Sequence, residues 1–324
     1  MLKSPEFWYQ TEKTWLSSLL QPVARFYESL SKKRYKKRSK KAYRSSCHVI
    51  CVGNLNMGGS GKTPVVQALL EMMNNRQPYI LSRGYGGDMA GPMLVEPDMH
   101  DAFDVGDEAL MHANYALCGI SRNRKLGARF LEQAGADIII MDDGFQNPDL
   151  VKDLSFIVVD GAHRFGNNQI FPAGPLRENV EQGLKRADAV ILIGNNKGDE
   201  EIDVGNLPVF KAELKPDKIS KRLKQAKSVI GFAGIGHPLK FRETLNDLGL
   251  SVSAFYGFAD HHPYSTKDLD FLLKEADEKS AVLVTTEKDK MRLPATYQER
   301  IEVVSVKLVF EDMPAIEKFV KKRI

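Results

Sequence analysis

The sequence predicts an α/β protein with a mostly parallel sheet flanked by helices. An apolar run at 49–52 enters a glycine-rich loop, and a helical pattern at 65–70 leaves it. A second apolar run at 136–141 ends in two adjacent carboxylates, Asp142 and Asp143. Strands that alternate with helical patterns are typical of βαβ units. Together the two stretches indicate a fold of the P-loop nucleoside-triphosphatase type.

Length and composition are those of a globular protein of about two domains. The chain has 324 residues, of which 43% are hydrophobic and 27% charged, enough to enclose a full core. Its three cysteines have no metal-ligand spacing and indicate buried thiols in a reducing compartment. No apolar run approaches the roughly 18 residues of a membrane-spanning helix, and the charged N-terminus lacks the apolar core of a cleavable signal. We therefore expect a soluble protein.

We predict three segments: an amphipathic, basic arm at 1–46, a nucleotide-binding core at 47–214, and a second, smaller α/β domain at 215–324. The formal net charge of +4 is unevenly distributed between them. The arm carries 12 Lys/Arg and three Asp/Glu, a net charge of +9, which leaves −5 for the remaining residues. The basic character therefore belongs to the arm, and the body is mildly acidic.

Aromatic and aliphatic side chains recur at helical spacing in the arm and predict an amphipathic helix over residues 5–30. Eight cations follow within the ten positions 32–41. An apolar helix face followed by a polybasic segment is typical of a helix that lies in the plane of an anionic bilayer surface. Two alternatives stay open: the apolar stripe packs on the body, or the basic segment is a solvated or nucleic-acid-binding arm.

The loop after the first strand has the features of a phosphate-binding loop. Its backbone N–H groups and the helix N-terminus present positive partial charge to a polyphosphate. Lys62 is predicted to reach the β- and γ-phosphates, and the Thr63 hydroxyl to bind Mg²⁺. Asn56 stands where the usual pattern has glycine, and asparagine tolerates a positive φ. The predicted nucleotide-binding residues are Asn56, Met57, Gly58, Gly59, Ser60, Gly61, Lys62 and Thr63.

Two stretches beyond the loop have both a functional and a structural interpretation. Residues 82–87 place three glycines around an arginine and a tyrosine at a strand end, which suits either close approach to a ligand or a flexible hairpin. Asp107 stands where a helix N-cap belongs, the usual role of a single aspartate in that position.

Two carboxylates and one arginine are further candidates for phosphate chemistry. Asp142 and Asp143 end an apolar strand downstream of the phosphate-binding loop, as do the acids that hold Mg²⁺ in P-loop proteins. Arg177 follows a Pro/Gly-rich loop at 171–175. It is either a cation that stabilises charge on a transferred phosphoryl group or a surface arginine.

One pattern favours a different function. A buried strand at 189–193 precedes Asn196-Lys197-Gly198-Asp199, and Asn-Lys-x-Asp after a strand is how GTPases read guanine. The same residue types are common in turns, and no Asp-x-x-Gly ends the carboxylate strand. A GTP-binding switch or metallochaperone-type GTPase remains an alternative, as does an ATPase that binds nucleic acid through the basic arm.

The polar, lysine-rich residues 206–227 predict a connector to the second domain. Beyond it, alternating patterns predict four strands and a terminal helix. The predicted strands are 229–233, 252–256, 281–285 and 301–306.

Asp260, His261 and His262 form a titratable cluster in a loop of the second domain. A histidine held by a carboxylate can act as a general base or assist one near neutral pH. The alternative is a surface turn with a capping aspartate. No third ligand is spaced for zinc.

Taken together, these motifs resemble the tetraacyldisaccharide 4'-kinases of lipid A biosynthesis. The resemblance covers roughly residues 47–290. The stretches that carry it are Gly53-Asn54, Gly58-Gly59-Ser60-Gly61-Lys62-Thr63-Pro64, Ser82-Arg83-Gly84-Tyr85-Gly86, Val105-Gly106-Asp107-Glu108, Asp142-Asp143-Gly144-Phe145-Gln146, Pro172-Ala173-Gly174-Pro175-Leu176-Arg177-Glu178, Phe258-Ala259-Asp260-His261-His262 and Thr285-Thr286-Glu287-Lys288-Asp289.

The resemblance implies ATP-dependent phosphorylation of the 4'-hydroxyl of an acylated glucosamine disaccharide 1-phosphate. It also implies a peripheral enzyme on the cytoplasmic face of the inner membrane, with no nucleic acid as partner.

Site residues follow from the same resemblance. By analogy, Asp107 takes the hydroxyl proton with the help of His261, for which His262 is the alternative. Asp142 and Asp143 lie at Mg²⁺ and Arg177 near the transferred phosphate. Ala109 departs from the family pattern, in which proline is expected after Gly-Asp-Glu.

Overall fold

The structure, a computed structural model, describes residues 5–10, 14–73, 75–194, 202–217 and 219–324. The strands are β1 (His48–Gly53), β2 (Pro78–Ser82), β3 (Met93–Leu94), β4 (Cys118–Ile120), β5 (Ile138–Asp142), β6 (Leu154–Asp160), β7 (Ala189–Ile193), β8 (Val209–Pro216), β9 (Val229–Ala233), β10 (Val252–Gly257), β11 (Val282–Thr286), β12 (Glu302–Val304) and β13 (Val306–Phe310). A 3₁₀ helix at Glu6–Tyr9 precedes the α-helices, which are α1 (Trp15–Ser39), α2 (Lys62–Met72), α3 (Ala102–Val105), α4 (Asp107–Ala113), α5 (Arg124–Gln133), α6 (Val180–Leu184), α7 (Lys221–Gln225), α8 (Pro238–Asp247), α9 (Thr266–Glu278), α10 (Glu287–Lys290), α11 (Ala295–Gln298) and α12 (Met313–Lys321).

A nine-stranded sheet in the order β13-β8-β7-β6-β1-β5-β2-β4-β3 forms the first domain. Its seven inner strands are parallel, and the edge strands β13 and β3 pair antiparallel. Strand β1 lies at the centre between β5 and β6, and residues 49–53 are buried. Continuous buried runs of this kind are what a parallel sheet covered on both faces requires. The predicted fold class is confirmed.

Four parallel strands in the order β10-β9-β11-β12 form a second, smaller sheet. Because the carboxyl ends of parallel strands share one edge, the loops after β9, β10 and β11 are neighbours. Hydrogen bonds and ion pairs join the segments that follow these strands, including the first turns of α8 and α10, to β6 and α4 of the first domain. The edges that carry the predicted site residues therefore face each other across one cleft.

The predicted extent of the second domain, 215–324, is wrong at its C-terminal end. The predicted strand 301–306 divides at Ser305: β12 pairs in the small sheet, and β13 returns to pair antiparallel with β8 of the large sheet. Helix α12 then buries Ile316 and Val320 in the core of the first domain. The apolar residues of β13 and α12 have to be buried against some sheet, and the sequence pattern does not say which one.

The predicted connector 206–227 is also wrong, because β8 lies within it as a strand of the large sheet. Exposed lysine and glutamate side chains alternate with Ala212 along β8, which made the segment look unstructured. Strands close to a sheet edge tolerate such polar faces.

Helix α1 begins at Trp15 rather than near residue 5, and it continues through the predicted basic segment to Ser39. The Thr14 side chain caps it by accepting from Ser17 N at 3.2 Å. Cations in its last turn stabilise this longer helix, because their positive charge interacts favourably with the negative end of the helix dipole. The aromatic Trp8 lies outside this helix, is buried, and donates its indole N–H to the Pro172 carbonyl oxygen at 3.2 Å.

The two faces of α1 have different environments. One face packs on the body: Ser17 and Ala24 are buried, and the Ser17 hydroxyl donates to the Ala173 carbonyl oxygen at 2.8 Å. The opposite face exposes a stripe of apolar side chains, here called the α1 stripe. Its members are Trp15, Leu19, Val23, Phe26 and Leu30, with exposed fractions of 77, 65, 54, 66 and 37%. Within the described ranges, no helix combines the length and hydropathy needed to cross a bilayer.

Candidate active site

The loop between β1 and α2 has a backbone that two glycines make possible. Gly58 and Gly61 have φ angles of 110° and 85°, in the region that L side chains rarely adopt. A Cβ atom on Gly61 would also lie 2.8 Å from Ile193 Cδ1. The Asn54 amide closes the loop by donating to the Gly58 carbonyl oxygen at 3.2 Å. The loop leads directly into the N-terminus of α2, which favours an anion there.

Asn56 is held differently from what the sequence suggested. Its φ is not positive, so our argument from left-handed tolerance was wrong. Instead, Asn56 forms an antiparallel bridge with Leu176, and its side-chain amide donates to the Arg164 carbonyl oxygen at 2.7 Å. The next residue, Met57, donates its backbone N–H to the Pro175 carbonyl oxygen at 2.7 Å. The entrance of the loop is therefore extended and pinned to the 171–177 loop, so glycine is not required there.

Three of the predicted site residues lie together at the N-terminus of α2. Lys62 Nζ lies 3.6 Å from Asp143 Oδ1, and the same oxygen accepts from Arg177 Nη1 at 2.8 Å. Desolvation alone would raise the pKa of Asp143, but the charges of Lys62 and Arg177 outweigh it and lower that pKa. Two cations therefore surround one carboxylate beside the phosphate-binding loop, so the cluster retains a positive charge that can attract a polyphosphate.

Asp142 lies at the end of β5 and is buried. Its Oδ2 atom pairs with His112 Nε2 at 2.9 Å, whereas its Oδ1 atom is buried and has no hydrogen-bond partner among the described residues. Such an atom is costly unless a ligand completes it. His112, on α4, is fully buried and was not among the predicted site residues. The signal for it was a single histidine on the apolar face of a short helix, which the sequence alone does not separate from a core residue.

Asp107 and His261 come together from the two domains. The His261 Nδ1 and Asp107 Oδ2 atoms are 2.9 Å apart. Asp107 is the first residue of α4 and not its N-cap, because Gly106, with a φ of 87°, occupies that position. Gly106 is required there, since a Cβ atom would lie 2.3 Å from the Tyr85 carbonyl oxygen. Asp107 is therefore free of the capping role, and its Oδ1 atom accepts from the Glu108 backbone N–H at 2.8 Å.

His262 is directed away from this contact. Its Nε2 atom lies 3.3 Å from Asp268 Oδ2, and its ring stacks on Phe258 with centroids 4.7 Å apart. Asp268 also accepts from the backbone N–H of Ser265 and belongs to the capping box of α9. Of the two histidines, His261 contacts Asp107, and His262 packs against the start of α9.

Lys288 determines where the proton of His261 lies. Its Nζ atom is 2.9 Å from Glu108 Oε1 and 3.3 Å from His261 Nε2. An ammonium group has donors and no acceptor, so His261 Nε2 accepts, and Nδ1 carries the proton that faces Asp107. Burial opposes the charge on Lys288, but the neighbouring carboxylates of Glu108 and Asp107 outweigh it and raise the Lys288 pKa. The lysine therefore stays charged, and its contact with Nε2 leaves Nδ1 of His261 to face Asp107 Oδ2 as the donor.

The electrostatic balance at Asp107 follows from these contacts. Burial alone would raise the pKa of Asp107, but the hydrogen bond from His261 and the charge of Lys288 outweigh it and lower that pKa. Burial opposes the charge of Glu108 too, and the charges of Lys288 and Lys62 together lower its pKa. Glu108 thus links the Asp107 contact electrostatically to the phosphate-binding loop.

A carboxylate and two imidazoles flank the loop on its other side. Among the described residues, Asp160, His163 and His237 bring potential metal-ligand atoms within 4.8 Å of one another. However, the two imidazole rings stack with an interplanar angle of 12°, so their in-plane lone pairs do not converge. Lys240 Nζ already lies 2.7 Å from Asp160 Oδ2. The cluster is therefore an ion pair and a ring stack that join the two domains beside the loop.

The stretch Asn196–Asp199, on which the GTPase alternative rested, lies outside the described residues. Thr63 is the second residue of α2 and is partly buried. The structure thus brings together Lys62, Asp143 and Arg177 at one place, and Asp107 and His261 at another place in the same cleft.

Comparison with known proteins gives consistent results. The family model of LpxK, tetraacyldisaccharide-1-P 4'-kinase, matches residues 16–324. A tetraacyldisaccharide 4'-kinase of Rhodospirillum rubrum is 44% identical over 330 residues, covering 100% of this chain and 98% of the relative. One of Rhodospirillum centenum is 42% identical over 323 residues, covering 98% and 95%. The crystal structure of LpxK from Aquifex aeolicus in complex with ATP aligns with a TM-score of 0.79 and 28% identity, covering 95% of this chain and 99% of that one.

Proposed function

The chain belongs to the tetraacyldisaccharide-1-P 4'-kinase family, and on that premise we propose that Asp107 and His261 form the acceptor side of its active site. The protein is an ATP-dependent kinase of lipid A biosynthesis that phosphorylates the 4'-hydroxyl of a tetraacylated disaccharide 1-phosphate. The GTPase alternative is not favoured. The observation that supports the acceptor assignment is the 2.9 Å contact between a buried carboxylate of one domain and an imidazole of the other.

In the proposed reaction, the 4'-oxygen attacks the γ-phosphorus, and the bond from that phosphorus to the bridging oxygen of ADP breaks. The hydroxyl proton passes to the Asp107 carboxylate. His261 keeps its Nδ1 proton and holds the carboxylate in place. Lys62 and Arg177 stabilise the charge on the transferred phosphoryl oxygens, which is where most of the catalysis in such a loose transition state arises.

We also propose that Asp142, Asp143 and Thr63 hold Mg²⁺. The residues fit this group, because Asp142 Oδ1 is a buried carboxylate oxygen with no partner in the described part of the chain, and oxygen is the ligand that Mg²⁺ prefers. When bound, the cation would neutralise charge on the β- and γ-phosphates. The pair with His112 fixes the rotamer of Asp142 and leaves Oδ1 as its free ligand atom.

Asp142→Asn should raise the Mg²⁺ concentration needed for half-maximal turnover by at least about tenfold, since loss of even an outer-sphere partner costs that much. Isothermal titration of ATP with and without Mg²⁺ gives a second readout, because the variant should lose the gain in ATP affinity that Mg²⁺ produces. Asp98→Asn, at an exposed turn, is the control. An unchanged Mg²⁺ dependence in both measurements would contradict the assignment.

The activity itself is tested with a tetraacylated glucosamine disaccharide 1-phosphate in detergent micelles, with ATP as phosphoryl donor. We expect ATP turnover that depends on the lipid and yields the 4'-phosphate. GTP in place of ATP, and polynucleotide in place of the lipid, are the comparison arms. ATP turnover that is indifferent to the lipid, or turnover with a preference for GTP, would rule out the kinase.

We propose that the α1 stripe seats the protein on the inner membrane surface, at its cytoplasmic face, as a peripheral enzyme. The stripe faces away from the body, and the same helix continues into the basic segment 32–41. Apolar side chains of this kind enter the headgroup boundary, while cations contact anionic lipids. The substrate is itself a lipid, so a surface-bound active site meets it where it resides.

The double variant Leu19→Ser, Phe26→Ser should bind anionic phospholipid vesicles at least about tenfold more weakly, because burying each side chain contributes about 1.5–3 kcal/mol. Sedimentation with vesicles measures this, and turnover of substrate in micelles should change little. The matched control is Leu239→Ser, Phe271→Ser, two residues of the second domain with 64 and 52% exposure. Equal vesicle binding by both double variants would show that α1 is not the membrane contact.

A further inference from the structure

A buried ion pair lies directly beneath the Asp107–His261 contact, and neither the family motif nor the proposed reaction gives it a role. Asp289, at the end of the Thr285–Asp289 motif, is fully buried. It accepts from the Gly234 backbone N–H at 2.9 Å, the Tyr264 hydroxyl at 2.8 Å and the Thr286 hydroxyl at 2.6 Å. These donors come from the loops after β9 and β10 and from the last residue of β11, so one carboxylate ties together three segments that face the cleft.

Arg292 is the charged partner of Asp289, and its side chain is 7% exposed. Its Nη2 atom donates to Asp289 Oδ1 and, at 3.0 Å, to the Gly234 carbonyl oxygen. Its Nη1 atom donates to the His262 carbonyl oxygen at 3.3 Å. The guanidinium is therefore fixed from two loops and one carboxylate, and its orientation is not free to vary.

The remaining guanidinium nitrogen faces the first domain. Arg292 Nε lies 3.4 Å from Asp107 Oδ2, the same oxygen that His261 Nδ1 contacts at 2.9 Å. This contact is an ion pair and not a hydrogen bond, and the buried Nε atom has no hydrogen-bond partner among the described residues. The other two nitrogens are committed within the second domain, so within the part of the chain that the structure describes, the ion pair that this side chain forms across the cleft is with the carboxylate of Asp107.

We propose that Arg292, anchored by Asp289, is a positioning residue that fixes the Asp107 carboxylate when the second domain is docked on the first. The inference rests on the proposed function of Asp107 as the group that receives the hydroxyl proton. Arg292 does not need to touch ATP or the sugar. It holds one carboxylate oxygen from the side of the second domain, while the Glu108 backbone N–H holds the other from α4.

The charges around Asp107 define what the removal of Arg292 should do. His261 comes from the loop after β10, Lys288 from α10, and Arg292 from the segment after α10, while Glu108 on α4 is the neighbouring anion. Loss of a cation at 3.4 Å raises the pKa of a carboxylate. The base must be deprotonated to work, so the acidic limb of the kcat profile should move to higher pH.

The test compares Arg292→Lys and Arg292→Met with the parent in the micelle assay. Lysine keeps a cation for the buried Asp289 but has no counterpart of the Nε–H group, so Arg292→Lys should fold as the parent does. We expect kcat to fall about tenfold in Arg292→Lys and about a hundredfold in Arg292→Met, as expected for lost orientation. The KM for ATP should change less than threefold, and the acidic limb should move up. Arg300→Met, which removes an exposed ion pair with Asp277 in the same domain, is the matched control and should leave kcat unchanged.

A double variant that combines Arg292→Lys with Asp107→Asn tests whether Arg292 acts through Asp107. If Arg292 acts through Asp107, then Arg292→Lys should cause no further loss of kcat in the Asp107→Asn background. Full additivity, or a kcat within twofold of the parent for Arg292→Lys with an unmoved acidic limb, would overturn the inference. An Asp107→Asn enzyme with parental activity would instead remove the proposed role of Asp107, which is a different failure. Thermal unfolding of each variant identifies any that lose activity through misfolding.

Discussion

Asp107→Asn is expected to lower kcat by about 10²–10⁴-fold, the usual contribution of a positioned general base. Asparagine keeps the shape of the side chain but cannot accept the hydroxyl proton. The KM for ATP should change little, because the proposed phosphate-binding cations, Lys62 and Arg177, form a separate cluster around Asp143. Steady-state kinetics with saturating lipid, measured from acidic to neutral pH, provides both values.

The pH profile gives the second part of this prediction. The pKa of Asp107 is lowered by the His261 hydrogen bond and the charge of Lys288 in spite of burial. The parent enzyme should therefore keep its activity down to a pH below the usual aspartate range and lose it only as this group is protonated. The residual activity of Asp107→Asn should lack that limb. Asp98→Asn is the control for the loss of one carboxylate. A kcat of Asp107→Asn within threefold of the parent value would contradict the role of Asp107 in proton transfer.

The first sheet could be predicted because its strands are short, apolar and bounded by glycines and acids. Strand β1 with its loop and β5 with Asp142 have both a buried pattern and chemistry at the carboxyl end, and each signal reinforces the other. The pattern of β8 has neither feature, and the pattern of β13 is that of any amphipathic edge strand. Their pairing with each other depends on which sheet has an open edge, and that is a property of the whole fold.

The residues of the candidate site also differ in whether a local sequence motif predicts them. Lys62, Asp142 and His261 stand in motifs whose spacing carries a chemical meaning, so they could be named in advance. His112 and Arg292 could not, because each contacts a site residue that is distant in sequence, at separations of 30 and 185 positions. A buried histidine or arginine becomes informative only when its partner is known. In a cleft between two domains, those partners are set by docking and not by local pattern.

The sequence left two questions open: whether the protein is a GTPase, and whether His261 or His262 contacts Asp107. Different observations bear on each of them. The histidine question concerned register, and contacts separate the two rings: His261 faces Asp107, and His262 faces Asp268. The guanine motif concerned function, and the family comparison does not favour it; its residues lie outside the described ranges.

Lys62→Met is expected to reduce kcat/KM by about 10²–10³-fold or more, since it removes a preorganised cation that in our proposal stabilises the transferred phosphoryl group. Its side chain is 11% exposed and lies beside Asp143, which Arg177 also contacts. Because Arg177 remains to neutralise Asp143, the fold should tolerate the change, and thermal unfolding should show it. Lys185→Met, at an exposed pair with Glu181, is the control.

The positions of Lys62 and Asp107 also predict which measured quantity each substitution lowers, the affinity for ATP or kcat. In the proposed site, Lys62 would contact the phosphates in the ground state as well as in the transition state, so both the affinity for ATP and kcat should fall in Lys62→Met. Asp107→Asn, in contrast, should spare ATP binding. Equilibrium binding of ATP to each variant therefore distinguishes the phosphate side of the cleft from the acceptor side. If Lys62→Met bound ATP and turned it over as the parent does, the loop after β1 would not be the phosphate site, and the whole arrangement of the cleft would need a different explanation.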